Sequence, residues 1–311
     1  MSEASPGRDP PLSDARYTLL EKIGQGAVGT VYRARDYAGG YPRDVCIKRL
    51  HGPLANEHVA ALEEEARLLS SVRHANVVSL LAVGQDAMSM PFLVLELISG
   101  MDLRALCRHV KAQPAIDWGG YLPDALCVHV ACGILRGLAA VQRAVPGLVH
   151  RDVTPHNVLL SREGEIKLAD FGIALAQDRV RWTRPALVKG KYGYMSPEQI
   201  RGEGIDVRSD LFATGVLLYE LLARERPWGG MQGMDELVAI EHGAAVGLAL
   251  HRPRLDRSLV AVVERMISHD ADERWGSPDD TLRALAPFGA GEAGSLRLAS
   301  LVRVSEQAKG G

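Results

Sequence analysis

The spacing of hydrophobic positions changes partway along the chain, from a period of about two to one of about 3.6, the signatures of strands and of core-facing helices. Arg16 to Lys22, Thr30 to Arg35, Val45 to Lys48, Val77 to Val83 and Pro91 to Leu97 read as strands. Asn56 to Val72 interrupts them as a helix, with Ala66, Leu68 and Leu69 apolar and Glu57, Glu63, Glu64 and Glu65 acidic. From Met101 onward the helical period takes over, beginning with the stripe Leu103, Leu106, Cys107 and Val110. Asp124 to Val145 is a long apolar stretch that predicts a buried helix, and Leu211 to Ala223 predicts another. Between these two helices lies one short β-like run, Val158-Leu159-Leu160, just after a loop. The pattern is strand-rich first and helix-rich afterwards, an α+β arrangement.

Composition narrows this picture. Of 311 residues, 47% are hydrophobic, enough for a substantial core, and the net charge of -2 gives no sign of the basic face of a nucleic-acid binder. Cys46, Cys107, Cys127 and Cys132 contain no CxxC pair, which argues against zinc or dithiol chemistry. Cys127 and Cys132 fall in an apolar helix and read as core thiols, which fits a reducing, cytoplasmic compartment. Residues 1–15 are rich in Pro, Gly, Ser and charge and predict a disordered segment with no signal-peptide core. Leu211 to Ala223 reads as the longest apolar region and contains Thr214 and Glu220, short of the about 20 apolar residues of a spanning helix. The expectation is a soluble chain with no membrane span.

The chemistry gathers in loops. Asp152 and Asn157 sit five residues apart in Val149-His150-Arg151-Asp152-Val153-Thr154-Pro155-His156-Asn157, and Asp170-Phe171-Gly172 follows the next strand. Three oxygen-bearing side chains on loops suit a proton acceptor beside a hard divalent cation, since Mg²⁺ takes oxygen ligands and usually binds with substrate phosphates. Upstream, Gly24-Gln25-Gly26-Ala27-Val28-Gly29 joins two strands. A dinucleotide-binding turn would need a helix after the glycines. A glycine loop between antiparallel strands instead lets backbone amides approach phosphates closely. Lys48 ends the following strand, and one of the helix carboxylates is available to pair with it.

Taken in order, these motifs resemble the eukaryotic-like (Hanks-type) serine/threonine protein kinases, in the style of soluble bacterial members, over roughly residues 17–285. The resemblance implies a bilobal fold with a small β-rich N-lobe (16–97), a hinge (96–101) and a larger helical C-lobe (101–285), with ATP in the cleft between the lobes. Residues 286–311 fall outside it and read as a tail with a short docking segment. By resemblance, Ile23, Gly24, Gln25, Gly26, Ala27, Val28, Gly29, Thr30, Val31, Cys46, Glu96, Ile98 and Leu159 surround the nucleotide, with Leu95 at the gatekeeper position. Lys48, held by Glu65, grips phosphates; Asp152 is the catalytic base; Asn157 and Asp170 hold Mg²⁺, with Mn²⁺ as an alternative. Leu69 and Leu80 are expected to pack toward Phe171 and His150. Asp210 braces the catalytic loop, and Glu198 of Ser196-Pro197-Glu198 pairs with Arg274. The implied activity is transfer of the γ-phosphoryl group of ATP to Ser/Thr hydroxyls of proteins in signalling, including trans-autophosphorylation through self-association.

Two positions depart from the family pattern. Thr154 stands where most such kinases carry a lysine, and Lys191 stands where they usually carry a threonine. The expectation is an exchange in which the Lys191 ammonium supplies the missing charge from the activation segment. Val28 replaces a frequent aromatic at the tip of the glycine loop. Arg151 is the expected receiver of an activation-segment phosphate, with Thr183, between Arg181 and Arg184, its acceptor. His156 gives no ground for a basic substrate motif. The departures motivate a rival from another class, a pseudokinase scaffold that binds nucleotide or a partner without transfer. A small-molecule phosphotransferase of related fold is the other rival, and Asp206-Val207-Arg208-Ser209-Asp210 speaks against it.

Overall fold

The computed structural model describes residues 12, 16–26, 29–50, 58–112, 122–171 and 192–308. They form two compact units. The smaller holds the described residues up to Ser71 together with Ser79–Leu97, and the larger holds Val72–Val78 and the chain from Ile98 onward.

In the smaller unit, β1 (Tyr17–Gln25), β2 (Gly29–Asp36), β3 (Arg43–Leu50), β4 (Leu80–Gln85) and β5 (Pro91–Glu96) form an antiparallel sheet in the order β1-β2-β3-β5-β4. Alternation along the strands sorts the two faces. Ala34, Val45, Ile47, Phe92 and Val94 build one core with Tyr17, whose ring meets Phe92 edge-on at 6.0 Å. Lys48 faces the other way, opposite Val31 on β2 and Leu93 on β5. Helix α1 (Val59–Ser71) packs against β4 and β5 through a buried stripe that includes Leu62, Glu65, Ala66 and Leu69. The N-terminal expectation needs one correction. Leu12 bridges to Asp86 and packs against this core, so the disorder expected of residues 1–15 does not hold at Leu12.

The larger unit opens with β6 (Gly100–Asp102), α2 (Leu103–Ala112) and α3 (Asp124–Ala144), then β7 (Val158–Ser161) and β8 (Ile166–Leu168), which pair as a β6-β7-β8 sheet. After these come α4 (Pro197–Arg201), α5 (Val207–Ala223), α6 (Met234–Glu241), α7 (Leu248–His251), α8 (Arg257–Met266), α9 (Pro278–Leu285) and α10 (Glu292–Gln307). The core lies where α3 meets α5 and α9 and where β8 lies against α3. Glycines set the closest approaches. A Cβ on Gly133 would lie 2.8 Å from Ile166, and one on Gly137 would lie 2.7 Å from the Asn76 carbonyl.

Three sequence expectations change here. Among the described residues α3, rather than Leu211–Ala223, is the one helix long and apolar enough to cross a membrane, and most of it is buried in this unit. Its apolar run is broken by single polar residues, His129 and Arg136, which hid its length. Residues 72–78 belong with the larger unit, not with an N-lobe spanning 16–97. The Asn76 side chain donates to Ile166 O (2.7 Å), and Val78 N–H donates to Leu168 O (2.8 Å), so the expected strand from Val77 starts at Leu80. Finally, residues 286–308 are not an appended tail. Leu298, Leu301 and Val302 of α10 join the core, because their helical spacing puts them on one face against α2, α3 and the sheet.

Candidate active site

In the smaller unit, Lys48 Nζ lies 2.9 and 2.8 Å from the two Glu65 oxygens. The sheet register turns Lys48 to its face, and Glu65 is on the buried stripe of α1, so each fold element independently brings its charge to the pair. Both side chains are largely buried, where an ion pair holds geometry better than an exposed one. The glycine loop closes with Gly26 N–H donating to Gly29 O at 2.8 Å. Gly29 is required sterically, since a Cβ there would sit 2.7 Å from the Arg49 carbonyl. Ala27 and Val28 lie outside the described residues. Val31 and Cys46 are half-buried beside Lys48, and Ile23 is 48% exposed. Thr30 is buried, and Gln25 accepts a hydrogen bond from Lys22. Glu96 ends β5 by accepting Ser79 N–H on its carboxylate (2.7 Å) while its own N–H donates to Ser79 O (3.0 Å). Leu69, Leu95 and half-buried Leu80 line this unit's interior.

The larger unit holds the loop from His150 to Asn157. Asp210, at the start of α5, accepts the backbone N–H of His150 (2.7 Å) on one oxygen and of Arg151 (2.9 Å) on the other. Burial pushes this carboxyl up to about 7, against the pull of the two N–H donors and of Arg151. Arg151 itself has φ 69, a left-handed conformation costly for a long side chain. The Gln199 amide holds the strained residue by donating to Arg151 O at 3.2 Å. His150 is fully buried, its ring lies 4.6 Å from that of Phe171 at a tilt of 38°, and it is pushed down to about 4 by that burial, against the attraction of Asp152 and Asp170. It is therefore a neutral packing residue at neutral pH.

Asn157 Nδ2 donates to the Asp152 carboxylate (2.8 Å) and to the Asp152 carbonyl (2.9 Å). Both amide hydrogens are thereby used, and Oδ1 is left as a hard acceptor. Ala169 N–H donates to Asn157 O (2.9 Å), which ties the residue before Asp170 to the loop. Asp170 has φ 54, the other strained side-chain-bearing position here. Among the described residues no cluster of three or more His, Cys, Asp or Glu is suited to a metal. One amide oxygen and one carboxylate, completed by phosphate oxygens and water, nevertheless fit the way Mg²⁺ is usually held. Thr154 is buried, and among the described residues its hydroxyl finds no hydrogen-bond partner. Gly172, Thr183 and Lys191 lie outside the described residues. Leu159 is half-buried on β7, and Ile98 is half-buried after β5.

Below the loop, Arg274 binds Glu198 through two parallel hydrogen bonds (2.7 and 2.9 Å), and Ser209 Oγ adds a third to Glu198 at 2.6 Å. The guanidinium also lies 4.8 Å over Phe212. Burial alone would raise the Glu198 carboxyl, but the bonds from Arg274 and Ser209 outweigh it and bring it down to about 2. Sequence reasoning missed Gln199, although the Ser196-x-x-Gln199 capping box was a visible signal. It also missed the cradle around Gly193, whose carbonyl accepts Trp228 Nε1–H at 2.9 Å. A Cβ on Gly193 would collide with Arg226 and Glu236, and nothing in local spacing announces that neighbourhood.

Residues 17–283 match the family described as protein kinase domain. The chain is 39% identical over 228 residues to the serine/threonine-protein kinase PknL of Mycobacterium tuberculosis, covering 72% of this chain and 54% of that protein. It is 34% identical over 281 residues to a probable serine/threonine-protein kinase, SCO3848, of Streptomyces coelicolor, covering 88% of this chain and 40% of that one. It is 32% identical over 281 residues to the tyrosine-protein kinase MasK of Myxococcus xanthus, covering 88% of this chain and 43% of that one. The chain thus spans about half the length of the curated relatives it matches. In fold it resembles the crystal structure of the Mycobacterium tuberculosis PknI kinase domain, with TM-score 0.66 and 23% identity over 91% of this chain and 99% of that one.

Proposed function

This chain belongs to the protein kinase domain family, and from that premise we propose that it transfers the γ-phosphoryl group of ATP to Ser or Thr hydroxyls of proteins, itself among them. The observation that carries the reading is the Asp152–Asn157 hydrogen bond, in a loop held by Asp210 from one side and by Gln199 from the other. It aims one carboxylate oxygen and one amide oxygen from a fixed backbone, a combination that a turn-capping role does not need.

Asp152 accepts the proton of the attacking hydroxyl. Asn157 and Asp170 would hold Mg²⁺, which would neutralise phosphate charge. Lys48 grips the α- and β-phosphates, and Glu65 keeps its ammonium from swinging away. Backbone amides of residues 24–29 enclose phosphate oxygens. From the smaller unit, Ile23, Val31 and Cys46 offer apolar surface to adenine, with the Glu96 carbonyl as acceptor. By likeness to the family, Leu159 and the Ile98 amide are assigned the same role. Phosphoryl transfer needs little covalent help, so positioning and charge carry the catalysis.

Lys191 belongs to the same reading. The Thr154 hydroxyl, which has no partner among the described residues, supports it, because a buried polar atom is costly without a donor or acceptor. A lysine on a long stem is able to bring its point charge into the loop from the activation segment. Arg151 receives the phosphate on Thr183 and orders that segment. Incubation with Mg²⁺ and ATP, followed by intact mass and phosphoamino-acid analysis, tests the proposal. Phosphoserine or phosphothreonine in the native chain and none in Asp152→Asn is the expected result. Phosphotyrosine alone would overturn the acceptor class. Nucleotide binding without transfer to the chain or to an added protein would establish the scaffold reading instead.

A further inference from the structure

We propose that α10 is a positioning brace for Asn157 and Asp170, acting through the β6-β7-β8 sheet; the inference rests on the reading of those two residues as metal ligands. The helix lies wholly beyond residue 283, where the family match ends, yet it is built into the unit that carries both ligands. β7 begins at Val158, directly after Asn157, and β8 ends at Leu168, two residues before Asp170. The turn joining them contains Gly164, at φ +87. A Cβ on Gly164 would lie 2.0 Å from the Ser295 carbonyl of α10. The two backbones are therefore in direct contact, which no side chain at Gly164 would permit.

The same helical turn is fixed from a second side. A Cβ on Gly294 would lie 2.4 Å from the His129 ring on α3, and Ser295 Oγ is 3.4 Å from His129 Nε2. Toward the other end of α10, Glu306 accepts a hydrogen bond from Arg162 Nε at 2.6 Å, and Arg162 directly follows β7. Fully buried Leu298 anchors the helix between these points. The hairpin turn is thus clamped, and its opposite end presents the two ligands, joined there by the Ala169–Asn157 hydrogen bond. A short hairpin moves as a unit, so freeing its turn changes the spacing at its ligand end.

The test compares two buried-leucine variants of the full chain, well below their melting temperatures. Leu298→Ala removes the anchor of α10. Leu259→Ala opens a cavity in α8, which packs on α5 and α9. Hydrogen exchange of the 158–170 amides is read first, because it needs no activity. Half-saturating Mg²⁺ for phosphoryl transfer is read second. The proposal expects exchange in 158–170 and half-saturating Mg²⁺ each to rise several-fold in Leu298→Ala and to remain native in Leu259→Ala. Unchanged exchange in Leu298→Ala overturns it, as does an equal rise in both variants, or a rise in exchange with native Mg²⁺ dependence. If the native chain transfers no phosphate, the kinase reading fails separately and the exchange comparison still decides the brace. Leu298→Val supplies the same comparison with a smaller cavity if the alanine variant does not fold.

Discussion

At the scale of single residues, the strongest expectations concern charges whose partners are known. Lys48→Ala leaves Glu65 buried without its cation and removes a phosphate contact. Loss of one preorganised charge of this kind costs on the order of 10²–10³ in turnover. Steady-state kinetics at saturating ATP should show that loss with the fold intact by circular dichroism. Lys191 makes a sharper case. Lys191→Ala should lower kcat strongly while Lys191→Arg retains part of it, and an unchanged rate in Lys191→Ala would end the exchange idea. Lys48, Asp152, Asn157 and Asp170 could be singled out in sequence because each sits in a motif with distinctive neighbours. Gln199 was not, because its reach to the Arg151 carbonyl depends on how α4 returns to the loop.

At the scale of elements, helix and strand types followed from hydrophobic period, whereas their partners did not. The α10 stripe of Leu298, Leu301 and Val302 was visible in the chain, but periodicity shows that a helix has an apolar face without showing what covers it. Val77 and Val78 read as the start of a strand, yet Val78 N–H donates to Leu168 O on β8, and Leu168 N–H donates to Asn76 O. The glycines of α3 make a testable point about close packing. Gly137→Ala puts a methyl group 2.7 Å from the backbone oxygen of Asn76, a neighbour that cannot rotate away. Overpacking of this kind costs about 1–3 kcal/mol, to be read as a lowered denaturation midpoint in urea.

At the scale of the whole molecule, one buried ion pair links stability to pH. Glu198 has its carboxyl brought down to about 2, below its ordinary value of 4.5. A depressed carboxylate adds stability above its unfolded pKa, and that stability is lost as pH falls through the folded one. The contribution of the Glu198–Arg274 pair is therefore complete above about pH 4.5 and fades toward about pH 2. Glu198→Ala leaves Arg274 buried without its partner and should cost about 3–5 kcal/mol at neutral pH. The difference from the native chain should shrink in acid, as followed by urea denaturation at several pH values. A constant difference would mean that the loss comes from packing and not from charge.

The central claim is that this chain moves phosphate, and the most direct measurement is transfer of radiolabelled γ-phosphate from ATP to a generic protein acceptor, with the native chain and Asp152→Asn side by side. The expected result is Mg²⁺-dependent label on the acceptor with the native chain and a loss of about 10²-fold or more with the variant. Nucleotide binding without transfer by the native chain, or equal transfer by both, would contradict it.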